Sequence, residues 1–426
     1  MIDRKKYKRA GNYRHYDICR FCFRELQSPV IDLGYVPLAG GLMQSKKNFG
    51  NEMFYPLEVA FCENCFLVQS VNVINKDILF KNYFYYSSAI KTLSTHFTYV
   101  AEEMYVQLKK MPHPFVVEIG CNDATLIRQL TEKGIQSIGI DPAANIVNPL
   151  IKKKLSIINN YFTEQVAKNV AKQYSRADII CGFNVLAHIE DMHDVLKGIK
   201  ILLKDDGFLL FETHYLGSLL KEIQYDMIYH EHQYYYSLTA LQKFFDMYDM
   251  EIFDIRPIRI HGGSMRYYVQ NRKPGQRPIS RSVKECLVKE KQLKLYERAT
   301  YLSYAKKVSK TRTDLLRLLD ILKKQNKTIA GYGASGRGTI IMNYCNLNKK
   351  YLDYIIDDAP AKQGAYTPGN HLPIRSSTIL QSKNKPDYIL LFAWPFLREI
   401  KEKNKEYLKN GGKFILPLPK VEIINR

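Results

Sequence analysis

The stretch FVVEIGCNDATLIRQLTEKGIQSIGIDPA, residues 115–143, constrains the fold more than any other part of this 426-residue chain. Phe115 to Ile119 is apolar except for Glu118 and reads as a buried parallel strand. The run breaks at Gly120. Residues 124–133 carry helical periodicity and stop at Gly134, and a second strand over 135–140 ends on Asp141. Strand, tight turn, helix and a strand closing on an acid make a nucleoside-binding βαβ unit. The glycine would let the backbone approach a ligand, and Asp141 could accept from two ribose hydroxyls. The loop lacks G-x-G-x-x-G, and its E-x-G-x-N-D pattern suits S-adenosylmethionine, which has no phosphate to place on a helix N-terminus.

The alternation continues. Strands are predicted over 178–183, leading into FNVLAHIED, and over 207–211, leading into ETHY; a hairpin over 251–260 and 264–271 closes the unit. Parallel strands with a terminal hairpin suit a methyltransferase sheet better than a plain dinucleotide fold. Ligands sit at the carboxyl ends of such strands. That rule gathers Glu118, Asn122, Asp141, Asn184, His188, Glu212 and His214 around one crevice, with Gly120 and Asp123 in the cofactor loop.

A second βαβ unit starts at KTIAGYGASGRGTIIMN, where a strand runs into Gly331-x-Gly333-x-x-Gly336 and a helix. The next strand, over 351–356, ends at Asp357 and Asp358, about where a dinucleotide fingerprint would place its acid. Only two further strands are evident, over 388–394 and 413–417, too few for a complete dinucleotide fold. A nucleoside diphosphate at the helix N-terminus is the economical expectation; an NAD site and a purely structural lobe are the alternatives. Residues 280–324 read as a charged helix pair linking the two units.

Eight cysteines are unevenly spread. Cys19 and Cys22 form CRFC, and Cys62 and Cys65 form CENC. Two C-x-x-C knuckles supply the four thiolates of a closed, structural zinc site, with a redox pair as the competing reading. The long spacing between them predicts a small β-rich insert. Cys121, Cys181, Cys286 and Cys345 stand alone and read as packing residues. Between the zinc segment and the first βαβ unit lies NYFYYSS, residues 82–88, whose tyrosines suit sugar or base contacts or ordinary interface packing.

Length predicts two or three domains, drawn at 1–80, 81–275 and 276–426. The basic N-terminus lacks an apolar core, so no secretory signal is expected, and no run approaches the roughly 20 apolar residues of a membrane span. A cytoplasmic protein, monomeric or loosely oligomeric, is expected. The net charge of +21 would suit an anionic partner, but the lysines are scattered through amphipathic helices rather than gathered in a basic patch, which argues against nucleic acid.

The stretch YDMIYHEHQYYYSL, residues 225–238, is unusually rich in chemistry. On a strand, His230 and His232 would share a face and could hold a metal. With four thiolates available for zinc, the segment is freer to supply a base and hydrogen-bonding partners.

Taken in order, CRFC, VIDLGYVPLAGGLM, YPLEVAFCENCFLVQ, EIGCNDATLI, FNVLAHIED, YHEHQYYYSL, HGGSMR, YGASGRGTIIMNYC, DDAPAKQGAYTPGNHLPI and LLFAW resemble the three-part sugar C-methyltransferases, from about Cys19 to the C-terminus. The resemblance implies an α/β protein with a class I S-adenosylmethionine methyltransferase sheet, a small N-terminal zinc module and a smaller C-terminal Rossmann-like lobe holding a nucleotide-sugar, usually thymidine-linked. It places Tyr229, Glu231, His232 and His188 in the reaction centre and a tyrosine of the Y-x-Y-x-S-S segment, Tyr83 or Tyr85, beside them. It also assigns substrate contacts to Ser87, His214, Gly333, Ser335, Arg337, Asn343, Asp357, Tyr366 and His371. Cys121 and Ala124 depart from the family's usual SNDG loop, and Ser335 and Arg337 stand where alanine and lysine are usual. Ala124 would then add a methyl near the cofactor.

The implied reaction is methylation at carbon-3 of a nucleotide-linked 4-keto-6-deoxysugar through an enolate, in branched deoxysugar biosynthesis. His232 is the expected base, since a free imidazole titrates near neutrality. A nucleic-acid methyltransferase would carry N-P-P-Y or a catalytic Pro-Cys, and neither is present. A non-catalytic binding module would not need Asp141 and an intact Y-x-E-H, and a sugar O-methyltransferase is the near neighbour.

Overall fold

The computed structural model describes residues 12–83, 85–89, 91–273 and 276–425. The first residues of the expected zinc module, the 274–275 boundary and position 426 lie outside the described residues, as does Phe84 of NYFYYSS.

The N-terminal segment contributes β1 (Tyr13–His15), β2 (Ile31–Pro37), β3 (Phe54–Phe61), β4 (Val68–Ser70) and β5 (Asn72–Ile74). β1 pairs with β5, while β2, β3 and β4 form an antiparallel meander; β2 and β3 are the β-rich insert expected between the knuckles, and β4 follows the second knuckle.

The central sheet follows: β6 (Phe115–Ile119), β7 (Gln136–Ile140), β8 (Ile157–Ile158), β9 (Ala177–Phe183) and β10 (Leu203–His214). β11 (Tyr234–Tyr235) lies outside this sheet and pairs antiparallel with β4, so the two tyrosines that follow YHEH and Gln233 form the edge strand of the N-terminal sheet. β12 (Met250–Ile258) and β13 (Ser264–Asn271) return to the central sheet, whose order is β12-β13-β10-β9-β6-β7-β8 with β13 antiparallel to both neighbours. This is the class I methyltransferase topology. Every residue of β6 is buried, as in a strand covered on both faces.

Helices Arg281–Gln292 and Arg298–Lys324 form the expected link. The C-terminal lobe holds β14 (Ile329–Tyr332), β15 (Ile355–Ile356), β16 (Ile374–Arg375), β17 (Tyr388–Leu391), β18 (Lys413–Leu416) and β19 (Glu422–Ile424), ordered β16-β15-β14-β17-β18-β19. Its six strands exceed the four read from sequence, because β16 and β19 span only two and three residues and carry no periodic signal.

The apolar cores cross these boundaries. Cys19, Phe21, Cys62 and Cys65 pack in one cluster with Tyr234, Tyr236, Phe244 and the central sheet. Leu33, Val36, Leu57 and Val59 pack in another with Tyr301, Ile340 and Ile341 of the C-terminal half. The N-terminal module is thus a shared wedge. Among the described residues, no helix is long and apolar enough to cross a membrane.

Candidate active site

The cofactor loop follows β6. Asp141, at the end of β7, accepts from the backbone N–H of Asn122 through Oδ2 at 2.9 Å and from that of Ala143 through Oδ1 at 2.8 Å. Each oxygen keeps a second lone pair for a ligand. Gly120 has φ +70, and a Cβ there would lie 2.6 Å from the Val185 side chain, so the close approach that needs glycine is to Val185. Ala124 adopts φ +57, the left-handed region where an L-residue costs about 1–2 kcal/mol, which is the physical reason a glycine is usual there. Its methyl is fully buried against Cys121, Ile127 and Val147 and so adds to packing, not to a cofactor contact.

Tyr85 to Ser88 close over this loop. Asn122 donates from Nδ2 to the Tyr85 carbonyl at 3.0 Å and accepts from the Ser87 N–H at 3.1 Å, while Asp123 accepts from the Ser88 N–H at 2.9 Å. Two buried acceptors at the strand ends, Glu118 Oε2 and Asn184 Oδ1, have no hydrogen-bond partner within the chain. Burial, reinforced by the Asp141 and Asp123 carboxylates, holds the Glu118 carboxyl well above its usual range. A ligand bringing an ammonium, ribose hydroxyls and a sulfonium would satisfy both acceptors and offset the clustered negative charge. The residues present fit S-adenosylmethionine.

One pocket is lined by Asn184, His188, Thr213, His214, Met227, His232 and Tyr235. His232 donates from Nδ1 to the Met227 carbonyl at 2.7 Å. That bond fixes the neutral tautomer and leaves the Nε2 lone pair free. The ring centroids of Tyr229, His188 and His214 lie 4.0, 5.0 and 5.6 Å from that of His232. Burial lowers His232 to about 4 and His188 and His214 well below the ordinary imidazole value, so all three rings are neutral at pH 7. Glu231 accepts from the Tyr83 hydroxyl at 2.9 Å, and burial raises its carboxyl. His230 turns away and bonds the Pro56 carbonyl at 3.2 Å. The two histidines do not converge on an ion. Glu212 is committed to a buried network, with His96 Nε2 at 2.8 Å and Arg266 Nε at 2.7 Å.

The four knuckle sulfurs lie within 4.8 Å of one another, with Cys19–Cys65 and Cys22–Cys62 both at 3.5 Å. A tetrahedral zinc–thiolate site with bonds of about 2.3 Å has sulfur–sulfur edges of about 3.8 Å, so the set fits one ion. Among the described residues it is the one group of this kind. Arg20, inside the first knuckle, donates to the Gln233 side chain at 2.6 Å and its carbonyl at 3.0 Å, tying the metal module to the residue after His232.

In the C-terminal lobe, Asp357 repeats the Asp141 arrangement, accepting from Ala334 N–H at 2.8 Å and Ala359 N–H at 2.9 Å. Gly333 has φ +102, and Ser335 caps the following helix through Gly338 N–H at 3.2 Å. The remaining sequence-assigned contacts lie elsewhere. Asn343 bonds the Thr339 and Pro368 carbonyls, Tyr366 bridges to Met43, and His371 pairs with Glu52 at 2.7 Å and stacks on Phe49. Tyr366 and His371 sit at the junction of the C-terminal lobe with the N-terminal module, while both Asn343 partners lie within the C-terminal lobe. Arg337 forks onto Asp226, an acid the sequence reading had not singled out.

Residues 19–80 match a family described as "Putative zinc binding domain", residues 101–254 one described as "Methyltransferase domain", and residues 259–419 one described as "C-methyltransferase C-terminal domain". Over 412 residues, 97% of this chain and 98% of the relative, the sequence is 32% identical to C-methyltransferase NovU of Streptomyces niveus. The chain belongs to the C-methyltransferase family. It is an S-adenosylmethionine-dependent C-methyltransferase. A shorter likeness, 28% over 106 residues, links 23% of the chain to 44% of a ubiquinone biosynthesis O-methyltransferase of Glaesserella parasuis. Among solved structures, magnesium protoporphyrin IX methyltransferase of Synechocystis PCC 6803 aligns over 42% of this chain and 83% of its own at 14% identity, with a TM-score of 0.32.

Three residues on, or bonded to, the segment that carries His232 escaped the sequence reading: Arg20, Asp226 and Gln233. Each acts through a partner far along the chain, and only the buried charge of Arg20 inside a knuckle offered a local hint.

Proposed function

We propose that the enzyme methylates carbon-3 of a nucleotide-linked 4-keto-6-deoxysugar, with His232 as the base. The observation that carries this reading is the His232–Met227 bond, which leaves an imidazole lone pair in a pocket flanked by Tyr229, His188 and His214. A ketone at carbon-4 acidifies the carbon-3 proton. His232 Nε2 takes that proton, and the C–H pair moves into a carbon–carbon double bond as charge collects on the ketone oxygen. S-adenosylmethionine, when bound, would supply an electrophilic sulfonium methyl for carbon-3, its sulfur keeping the C–S pair and leaving as the neutral thioether.

An imidazole lowered to about 4 is a weaker base in the free enzyme than the near-neutral one expected. An enolate forming beside it in a water-poor site would raise its proton affinity, because opposite charges attract strongly at low dielectric. His188 and Tyr229, both beside the His232 ring, would donate to the enolate oxygen, and the bonded pair Glu231 and Tyr83 would hold sugar hydroxyls. Asp357 and the Gly333–Ser335 loop support the nucleotide. Four thiolates fit a structural zinc, and reduced thiols suit the cytoplasm.

Deuterium wash-in tests the base. In D2O without methyl donor, the enzyme should exchange the carbon-3 hydrogen of a thymidine-diphospho-4-keto-6-deoxysugar, and His232→Asn should not. Equal exchange in both would overturn the assignment.

A further inference from the structure

Asp226 and Arg337 meet where the C-terminal lobe touches the loop that carries His232. Asp226 lies in the short turn Tyr225–Met227, its side chain fully buried. Arg337 lies in the first turn of the helix Gly336–Tyr344, which springs from the glycine loop. The guanidinium spans both carboxylate oxygens, Nε to Oδ2 at 2.7 Å and Nη2 to Oδ1 at 2.9 Å. It also donates to Gln224 Oε1 at 3.3 Å and lies over the Trp394 ring at 4.9 Å. Trp394 Nε1 in turn donates to Asp226 Oδ2 at 2.9 Å. A planar fork on a buried carboxylate is a strong and directional contact.

Its position matters because Met227, the next residue after Asp226, owns the carbonyl that orients His232. From the other side, Gly262 has φ +86, and a Cβ there would lie 2.7 Å from Gln224 Oε1 and 3.3 Å from Arg337 Nη1. The H-G-G hairpin is therefore shaped to the same contact. Arg337 Nη1 points to the His261 carbonyl at 3.5 Å.

We propose that Asp226 and Arg337 are positioning residues for carbon methylation, a brace by which the C-terminal lobe holds His232 in register. The inference rests on reading His232 as the base. The groups facing that ring are His188 and His214 at the ends of the central strands, Tyr229 on its own loop, Tyr235 of the pocket lining, His261 of the hairpin, and Arg337. Arg337 is the permanent cation among them. Asp226 balances it, so the two halves of the brace pull the His232 titration in opposite directions.

The test uses the full-length, zinc-replete protein, a thymidine-diphospho-4-keto-6-deoxysugar, and histidine ring NMR with the His232 signal assigned from His232→Gln. Arg337→Lys, which keeps the charge but cannot span two oxygens, should lower kcat about 10- to 100-fold with KM for the sugar little changed. Asp226→Asn should push the His232 titration to lower pH, and Arg337→Gln should raise it. Because Arg337→Gln strands a buried carboxylate, Asp226→Asn/Arg337→Gln is measured alongside, and it should return the titration towards wild type while kcat stays low. Full kcat in Arg337→Lys, a rise in KM alone, or an unmoved His232 titration across the series would each overturn the proposal. Normal turnover in His232→Gln would instead sink the base reading, while the ring titrations of the brace variants would still report whether the pair acts on His232.

Discussion

The Tyr83 hydroxyl donates to Glu231 Oε2 at 2.9 Å, joining the tyrosine-rich segment before the central sheet to the Y-x-E-H loop between β10 and β12. The same segment bonds the cofactor loop through Tyr85, Ser87 and Ser88. One short strap therefore touches both halves of the site. Removing the hydroxyl in Tyr83→Phe leaves a buried carboxylate without its donor, a loss of about 1.5–3 kcal/mol for a charged acceptor. Steady-state kinetics should show kcat down roughly 10- to 100-fold, with cofactor affinity within about twofold by calorimetry.

Asp141 holds the cofactor loop by two backbone amides. Asp141→Asn loses the charge and one acceptor. Calorimetry should find S-adenosylmethionine binding weakened about 10- to 100-fold, with the central sheet intact by circular dichroism. Unchanged affinity would remove Asp141 from the site.

The N-terminal module carries β11 as an edge strand and reaches Gln233 through Arg20. Metal loss should therefore silence the distant base. Metal analysis should find one zinc per chain, and Cys62→Ser should lower the melting temperature and turnover together. Structural zinc is expected to supply folding free energy directly. Well under one equivalent in chelator-free protein would refute the site.

Burial lowers His230, His232 and His261 to about 4, and His188 and His214 well below 6.5. Between about pH 6.5 and 4 the unfolded chain binds protons that the folded chain refuses. Stability should thus fall as pH drops through that window. Thermal melts at pH 7 and pH 5 should differ by at least several degrees, about 5 °C or more. Replacing His230, whose ring bonds the Pro56 carbonyl and lies edge-on to Tyr55, with Gln should shrink that difference without removing activity.

The central sheet was legible because its strands are buried on both faces and so read as apolar runs between glycine and acid punctuation. Phe115–Ile119 and Ala177–Phe183 are examples. The two-residue strands Ile157–Ile158 and Tyr234–Tyr235 were not, since their pairing partners, not their own periodicity, make them strands. The cofactor acid and the four thiolates sit in local motifs with fixed spacing. The supports of His232 do not: Asp226 and Arg337 are 111 positions apart, and Arg20 and Gln233 are 213 apart. No window of sequence contains both halves of either contact.

The most direct measurement is product NMR. The enzyme is incubated with S-adenosylmethionine carrying a carbon-13 methyl and with thymidine-diphospho-4-keto-6-deoxysugars. The account predicts a methyl carbon coupled directly to carbon-3 of the sugar, formed by wild type and absent with His232→Asn. A methyl on a hydroxyl oxygen, or none on any sugar carbon, would contradict it.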